Sequence, residues 1–439
     1  MAIVQLSSTH PDFSFLIRKN PSTGMLIRPI RKGLAYGWYS DPQTFNVYFK
    51  DADNEVSYKR SELEEFEYLN VSRYNTPLFP LNAINEFFSH PLKPDERDTD
   101  GATATLFINM VHIERDRYIH FFAKHLPDID FELTHLAHKS YSLKMTTDRN
   151  LHYLLHAASV LFLFLSMFGK EFLDVSDAIL DKYIRSVNII DAPFYIRSLF
   201  VRNFLGSRSR FRKYVGELER TERYKIAFDF GGTAYQRRSV ISGQLSFDKS
   251  ILDIGCGEGF YAIPYAGQIK EDYNYYAIDV NEEVLEQTVR KAASKELDNL
   301  IPFASLELFL DTYNGEQVDV ILTEVIEHMG KKEAAALIRQ VLDKVDFDRF
   351  VITTPNADFN RFYELEGMRH DDHDWEMEQA EFRTWIESLV AARGLHSEWL
   401  EIGDRVNDVS TTQGVLFVQE EAKTASTEKG GETHERIHA

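Results

Sequence analysis

The chain has 439 residues and a formal net charge of −20, from 49 basic and 69 acidic side chains. A composition of 44% hydrophobic and 27% charged residues is ordinary for a globular protein and excludes a wholly disordered or fibrous chain. The negative charge argues against non-specific coating of nucleic acid or of an anionic membrane.

The charge is divided unevenly along the chain. Residues 1–240 hold 31 basic and 29 acidic side chains, whereas residues 241–439 hold 18 and 40. This break indicates a domain boundary, as the length also does at about 100–200 residues per domain. We predict an N-terminal α+β domain over residues 1–230, a second domain over 231–419 and a disordered tail over 420–439, where large apolar residues are almost absent.

Cysteine use and apolar runs point to a cytoplasmic protein without a membrane span. The single cysteine, Cys256, excludes a disulfide framework and a multi-cysteine zinc site. The first ten residues lack the basic start and apolar core of a signal peptide. The apolar run over 154–168 is shorter than the roughly 20 residues that span a bilayer. It predicts a buried helix, with a membrane anchor as the alternative.

The N-terminal half changes character along its length. Residues 1–75 read as β-rich, with strands predicted over 25–30, 35–38 and 44–49. From residue 80 to about 190 the pattern predicts helices, two of them over 82–88 and 106–125. We expect an exposed loop over the polar residues 93–101.

Residues 197–225 are the most basic part of the chain. They contain nine Lys or Arg, three Glu and five aromatic residues. Basic side chains neutralise phosphates and aromatic rings stack on unpaired bases, so this segment is a candidate for RNA contact. The alternative is an amphipathic connector helix whose aromatic side chains pack against the domain.

Residues 241–419 alternate between strand and helix patterns. The predicted strands cover 250–254, 275–279, 306–310, 318–323 and 350–354, with a late edge strand over 414–418; predicted helices include 282–295 and 332–345. Such alternation predicts an α/β domain with a mostly parallel, doubly wound sheet. Ligands then bind beyond the carboxyl ends of the strands.

A glycine-rich turn directly follows the first of these strands, in the sequence Asp253-Ile254-Gly255-Cys256-Gly257-Glu258-Gly259. Its G-x-G-x-G spacing differs from the G-x-G-x-x-G of dinucleotide folds, and no phosphate-binding Lys-Ser/Thr follows. Asp279 closes the second strand, where a carboxylate can accept hydrogen bonds from a ribose diol. The combination resembles Rossmann-like methyltransferases that use S-adenosylmethionine.

That resemblance assigns cofactor contacts to five residues. Asp253 is expected at the methionine amine, Gly255 and Gly257 at the cofactor backbone, Asp279 at the ribose and Ser305 near the adenine. Gly259 has the simpler alternative of helix–strand packing.

The fourth strand runs into Glu324, Glu327 and His328, which share one face if the chain forms a helical turn. Two carboxylates and an imidazole suit Mg²⁺ or Mn²⁺. The same spacing also occurs in methyltransferases of small molecules, so metal binding stays open at this point. Beyond the fifth strand, His370 and His373 can supply a further ligand, unless that acidic run is a solvated loop.

Three motifs together, E-V-I-E-H, T-P-N-x-x-F-N and R-H-x-D-H, resemble the RNA 3′-terminal ribose 2′-O-methyltransferase family. The resemblance implies a catalytic metal held by Glu324, Glu327, His328 and His373. On chemical grounds we expect the unligated His370 to accept the proton. This sequence departs from the family in two places. Trp375-Glu376-Met377 stands where F-E-W is usual, and the serine at the adenine is displaced by one position, to Ser305.

The N-terminal half resembles the amino-terminal module of the bacterial two-domain RNA-repair form. The matching stretches are Ser8-Thr9-His10-Pro11, residues 16–21 and Glu67-Tyr68-Leu69-Asn70. In that form the module is associated with a polynucleotide kinase-phosphatase that has ligase function. A purely structural α+β domain is the alternative.

The resemblance implies metal-dependent transfer of a methyl group from S-adenosylmethionine to the 2′-hydroxyl of the 3′-terminal ribose of RNA, in end protection or repair. One alternative is an O-methyltransferase acting on a small-molecule diol, which suits the acidic second half. A third is a non-enzymatic scaffold that retains the cofactor fold, against which the intact Asp253, Asp279 and four-ligand set argue.

Overall fold

The computed structural model describes residues 2–30, 33–50, 75–173, 175–365, 367–391 and 393–419. The chain divides into two compact units, Met1–Phe228 and Asp229–Ala439. The predicted tail over 420–439 and the matching stretch over 67–70 lie outside the described residues.

The N-terminal unit contains a seven-stranded antiparallel sheet with the order β2-β3-β4-β1-β5-β7-β6. The strands of this sheet are β1 (Ile3–Ser8), β2 (Leu26–Ile30), β3 (Gly33–Asp41), β4 (Thr44–Lys50), β5 (Ala104–His112), β6 (Asp130–Ala137) and β7 (Ser140–Thr147), and the short strand β8 (Ile226–Ala227) lies outside it. The helices of the unit are α1 (Phe13–Leu16), α2 (Leu78–Phe87), α3 (Arg117–His125), α4 (Leu151–Phe168), α5 (Asp177–Ile189), α6 (Phe194–Phe204) and α7 (Arg208–Leu218). The three strands predicted before residue 50 correspond to β2, β3 and β4.

Helix α4 forms the core of this unit. It is long and apolar enough to cross a membrane, but 83% of it is buried inside the protein, as the buried-helix interpretation of the sequence requires. Its first turn is capped from the exposed loop predicted over 93–101, because the Asp98 carboxylate accepts hydrogen bonds from the backbone of Leu151 and His152. Asn150 caps the same end by accepting from the Tyr153 amide at 2.8 Å.

The helix predicted over 106–125 is wrong. The chain forms strand β5 and then the short helix α3, because Ala104, Leu106 and Ile108 are buried at every second position and pair with β1 and β7. A period of two places these side chains on one face of a sheet and not on one face of a helix. Strands β6 and β7 likewise lie within the region predicted to be helical.

The aromatic residues of the basic segment mostly pack inside the unit. Phe200, Phe204 and Tyr214 are buried, so the prediction that they stack on RNA bases is wrong for these three. Arg197 is fully buried and donates to Asn188 Oδ1 at 2.7 Å and to Asp191 Oδ1 at 3.2 Å. The connector interpretation therefore describes these side chains better than RNA contact does.

The second unit is an α/β domain, as the sequence predicts. Its strands are β9 (Ser250–Ile254), β10 (Tyr275–Ile278), β11 (Leu300–Phe303), β12 (Val318–Thr323), β13 (Phe347–Pro355), β14 (Leu395–Val406) and β15 (Val409–Gln419). Its helices are α8 (Thr233–Gln244), α9 (Ala262–Ala266), α10 (Glu282–Ala293), α11 (Leu306–Thr312), α12 (Lys331–Lys344) and α13 (Gln379–Val390). The strand order is β11-β10-β9-β12-β13-β15-β14, parallel up to β13 and antiparallel beyond it.

Helices cover both faces of this sheet. On β12, Val320 and Leu322 belong to one buried cluster and Ile321 belongs to another on the opposite face. Strands buried on both faces read as continuous apolar runs, as this one does. The carboxyl ends of β9, β10 and β12 consequently meet at one edge of the sheet, where ligands bind in this fold class.

Two predictions for this unit are wrong in detail. Residues 306–310 form helix α11 and not a strand, because Ser305 caps it by accepting from the Leu308 amide at 3.3 Å; the third parallel strand is β11, six residues earlier. The late strand over 414–418 is an inner strand, β15, which pairs with both β13 and β14.

Arg197 tests the structural role of the basic segment. We expect Arg197→Met to lower the free energy of unfolding by about 3 kcal/mol, because it leaves the buried acceptors of Asn188 and of two backbone carbonyls unpaired. Urea unfolding measures this loss. Arg212→Gln, an exposed substitution in α7, should change stability by less than about 0.5 kcal/mol. Equal effects of the two substitutions would contradict the buried role.

Candidate active site

The chain turns sharply after β9 at three glycines with positive φ, +80° at Gly255, +52° at Gly257 and +80° at Gly259. A Cβ added to Gly255 would lie 2.3 Å from Val325 Cγ2, whereas one added to Gly257 would meet nothing within 4 Å. Glycine is therefore required at position 255 because the side chain of Val325 packs directly against it. Gly257 leaves an open side, which a bound molecule can approach closely.

The turn is tied to the ends of β10 and α10. The Gly257 amide donates to Asp279 Oδ2 at 2.8 Å and the Asn281 amide donates to Asp279 Oδ1 at 2.9 Å. Each carboxylate oxygen keeps lone-pair capacity for a further donor. A Cβ on Gly259 would lie 3.0 Å from Thr288 on α10, so helix packing and the φ of +80° together account for this third glycine.

Asp253 is fully buried in β9, just before the turn. Its Oδ2 accepts a hydrogen bond from the Tyr275 hydroxyl at 2.6 Å, whereas Oδ1 has no partner among the described residues. Burial raises the pKa of Asp253 to about 7, against the opposing effect of the Tyr275 hydrogen bond. A buried carboxylate with a free oxygen suits a ligand that brings its own donor.

Ser305 is half-buried, and its hydroxyl caps α11 as described above. The contact of this residue with an adenine, expected from the resemblance, stays a prediction.

The turn that follows β12 is not the regular helical turn expected from the spacing. Glu324 has a φ of +54°, and a single 3₁₀ turn covers Ile326–His328. The Glu324 carboxylate accepts from Arg237 Nη1 at 2.9 Å and from Thr353 Oγ1 at 3.2 Å. A positive φ at a non-glycine residue is strained and is often found at functional sites.

Glu327 is fully buried on the 3₁₀ turn. Thr354 Oγ1 donates to its Oε2 at 3.1 Å, whereas Oε1 is buried without a partner among the described residues. Burial, and next the nearby charge of Glu324, raise the pKa of Glu327 to about 8. Glu327 thus has the same incomplete hydrogen bonding as Asp253.

The R-H-x-D-H run is not simply a solvated acidic loop. His373 is buried, and its Nδ1 lies 2.6 Å from Oε1 of Glu376, whose side chain is 2% exposed. The Arg369 amide donates to the same carboxylate oxygen at 2.8 Å. Its guanidinium donates to Asn360 Oδ1 and to two backbone carbonyls. His370 lies on the exposed side of the run.

Three of the predicted ligands converge. One donor atom each from Glu327, His328 and His373 lies within 4.8 Å of the other two. His328 is more exposed, and its Nδ1 lies 3.1 Å from the Asp372 carbonyl. Glu324 lies outside this group, paired with Arg237. The His370 ring is 5.1 Å from the His373 ring, within reach of the same place.

Sequence analysis assigned no role to three supporting residues. Glu376 was noted as part of the motif that resembles the family, but its contact with His373 Nδ1, of the kind that orients a ligating histidine, was not predicted. Thr354 was read as part of a motif but not as the hydrogen-bond partner of Glu327. Arg237 precedes Glu324 by 87 positions in a helix without any motif, so nothing local announced it.

Comparison with known proteins identifies the family. The model described as "Hen1 N-terminal domain" matches residues 3–223, just over half of the chain, and the model described as "Methyltransferase domain" matches residues 251–345. The chain belongs to the Hen1 family. The resemblance drawn from its motifs is thereby confirmed, as is the fold, an N-terminal Hen1 domain followed by a Rossmann-like methyltransferase domain.

Curated relatives match about a third of this Hen1 chain. The protein named small RNA 2′-O-methyltransferase from Caenorhabditis elegans is 28% identical over 162 residues, which are 34% of either chain. Its Schizosaccharomyces pombe namesake is 27% identical over 161 residues, 31% of this chain and 42% of its own. The chain thus spans between a third and a half of their lengths.

A solved structure matches nearly the whole chain. A chain of the structure titled "Structure of Pnkp1/Rnl/Hen1 complex" is 25% identical, with a TM-score of 0.79 over 95% of this chain and all of that chain. The fold of both units is therefore found together in that one chain.

Gly255 and Gly257 provide a matched pair of substitutions. Gly255→Ala is expected to lower the free energy of unfolding by about 2–3 kcal/mol, because its Cβ meets Val325 at a positive φ. Gly257→Ala costs about 1 kcal/mol for φ alone and should instead lower affinity for S-adenosylmethionine. Urea unfolding and calorimetric titration separate the two effects. Unchanged cofactor affinity in Gly257→Ala would contradict the open side as a binding surface.

The buried Asp253 makes stability depend on pH in a defined direction. Its pKa is about 7 in the cofactor-free protein against an ordinary 3.8, so its stabilising contribution is complete below pH 4 and is lost as the pH rises through 7. Relative to wild type, the free energy of unfolding of Asp253→Asn should therefore rise by about 2 kcal/mol between pH 5 and pH 8. Asp311→Asn, an exposed control, should follow wild type. If the free energy of unfolding of Asp253→Asn and of wild type changed with pH in parallel, the raised pKa of Asp253 would be contradicted.

Proposed function

We propose that this Hen1 protein transfers a methyl group from S-adenosylmethionine to the 2′-hydroxyl of the 3′-terminal ribose of RNA, with the help of Mg²⁺ or Mn²⁺. The observation that carries the proposal is the convergence of Glu327, His328 and His373 beside the glycine turn of a methyltransferase domain. The names of the curated relatives support RNA as the substrate.

The residues of the turn fit S-adenosylmethionine. The unpaired Oδ1 of Asp253 suits a donor such as the methionine amine, and the open side of Gly257 allows close approach. Asp279, tied to the turn by two backbone amides, retains the capacity to accept from a ribose diol.

The converging donors fit a divalent cation. Glu327 offers a buried carboxylate oxygen without a partner, and His373 offers Nε2 while Glu376 holds Nδ1. Such outer carboxylates fix the tautomer of a ligating histidine. Glu324 completes the proposed set if it exchanges Arg237 for the ion. The ion, when bound, lowers the pKa of a coordinated hydroxyl, and a terminal vicinal diol offers it two oxygens.

The chain's own residues orient the reactants and move the proton. Arg369 and Glu376 fix His373 from behind, so the imidazole presents one nitrogen to the site. Arg237 balances the charge of Glu324 while the site is free of ions. We assign the proton acceptor to His370, which is exposed and close to His373. An internal nucleotide lacks the free 3′-hydroxyl, which explains specificity for the end.

The partner and the cell compartment are also proposals. The matched complex contains proteins named Pnkp1 and Rnl beside Hen1, so we propose a kinase-phosphatase and a ligase as partners in RNA repair. A reducing cytoplasm suits the single buried cysteine.

The test offers labelled S-adenosylmethionine and Mn²⁺ with matched RNAs whose 3′-terminal nucleotide carries a free diol, a 2′-deoxyribose or a 3′-phosphate. Label should enter the first RNA alone, and chelator or His328→Ala should abolish transfer. His396→Ala, an exposed histidine on β14, serves as the control and should retain activity. Full transfer in the presence of chelator would exclude the metal, and transfer to a catechol but to no RNA would favour the small-molecule alternative suggested by the acidic unit.

A further inference from the structure

An aromatic cluster in the N-terminal unit gathers three separate chain segments. Tyr39 packs edge-on against Phe13 and Phe45, with ring centroids 6.4 and 5.0 Å away, and Phe45 contacts Phe87 and Phe88. Phe13 begins α1, and the rings at 87 and 88 end α2. The residues just after α1 and just after α2 are therefore held near β2 and β3.

Lys19, three residues after the end of α1, is a buried cation, with 7% of its surface exposed. The hydrogen bond found for its Nζ goes to the Ile17 carbonyl at 3.4 Å, and no carboxylate pairs with it among the described residues. The Tyr39 hydroxyl donates to the Lys19 carbonyl at 2.9 Å, which fixes the backbone here. Buried charges are ordinarily paired, because desolvation of a lone ion is costly.

The neighbours of Lys19 increase the positive charge. Arg28 on β2 donates to the Glu86 carbonyl at 2.9 Å and lies 5.5 Å from the Phe87 ring. Burial and the charge of Arg28 lower the pKa of Lys19 to about 8, so the lysine is still charged at neutral pH. The pKa of His90 is lowered by burial and by Arg18, Lys93 and Lys19.

The nearby carboxylate does not neutralise this group. Asp95 acts on His90, but its two oxygens accept from Arg97 at 2.9 and 2.7 Å. The described residues thus leave one buried cation, Lys19, with the exposed cations Arg18, Arg28 and Lys93 nearby and no dedicated counter-ion. An anion bound between them would remove both the repulsion and the desolvation penalty.

We propose that Lys19, with Arg18, Arg28 and His90, forms a phosphate-binding site in the N-terminal unit that takes a backbone phosphate of RNA. Arg28 uses one N–H toward Glu86 and keeps donors for a phosphate oxygen. The choice of RNA as the phosphate source rests on the proposed function, but the site itself does not depend on methyl transfer. It gives the unit a binding role that the buried Phe200, Phe204 and Tyr214 of the basic segment do not fill.

The test measures binding of a fluorescent single-stranded RNA to the full chain, without S-adenosylmethionine or metal, over a series of salt concentrations. Lys19→Met and Arg28→Gln should each raise Kd by about five- to tenfold and reduce the salt slope by about 0.7 per lost phosphate contact. Lys144→Gln, an exposed lysine paired with Glu132 in the same unit, should change neither. Arg28 is exposed, so its substitution keeps the fold.

A second measurement separates an anion site from a structural lysine. Lys19→Met should raise Tm in phosphate-free buffer, because it removes an unpaired buried charge, and should abolish the rise in Tm that inorganic phosphate gives to wild type. A lower Tm for Lys19→Met with unchanged RNA affinity would overturn the proposal. Loss of phosphate stabilisation with unchanged RNA affinity would overturn RNA as the source. If wild type transfers no methyl group to RNA but these binding effects are observed, the result would count against the proposed function alone.

Discussion

Two buried carboxylates with incomplete hydrogen bonding determine what the methyltransferase unit can bind. Asp253 at the end of β9 and Glu327 beyond the end of β12 each have one oxygen held by a hydroxyl, from Tyr275 and Thr354. In each the second oxygen has no partner among the described residues. Burial raises both pKa values, to about 7 and about 8. The scaffold keeps these groups poorly solvated because the parallel sheet around them is packed on both faces. A ligand can therefore supply the partner that each unpaired carboxylate oxygen lacks.

The surrounding contacts keep these carboxylates in place without satisfying them. Glu376 engages Nδ1 of His373 and is itself held by the Arg369 amide, so the imidazole has one orientation. Arg237 engages Glu324, whose left-handed backbone turns the chain out of β12. A site built in this way is preorganised, because the free-energy cost of burying these carboxylates is offset by folding before any ligand binds. The conformational entropy of its side chains is lost on folding, so that loss does not weaken ligand binding.

Short motifs made much of this site predictable. Asp253, Gly255, Gly257 and Asp279 lie at or just beyond the ends of strands whose apolar runs are clear, and the structure brings them to one edge as expected. Contacts between distant residues were not predictable in the same way, because pairs such as Arg237 with Glu324 leave no periodic signal. Helix α11 and strand β5 were misjudged for a local reason. A serine cap and a two-residue period decide between helix and strand, and composition alone weighs neither.

Under the proposed function, the uneven charge limits where this protein can hold RNA. The acidic half carries 40 acidic against 18 basic side chains, so its surface repels a phosphate backbone except where an ion or a specific donor intervenes. Affinity for a polyanion comes chiefly from protein cations that displace its counterions. In the first 240 residues, basic side chains are about as numerous as acidic ones, at 31 against 29. Lys19 is the extreme case. It is a buried cation with further cations beside it, and no carboxylate among the described residues pairs with it. Under the proposed function, this distribution separates recognition of the RNA end from binding of the rest of the strand, so methylation specificity for the end and affinity for the strand can be altered by separate substitutions.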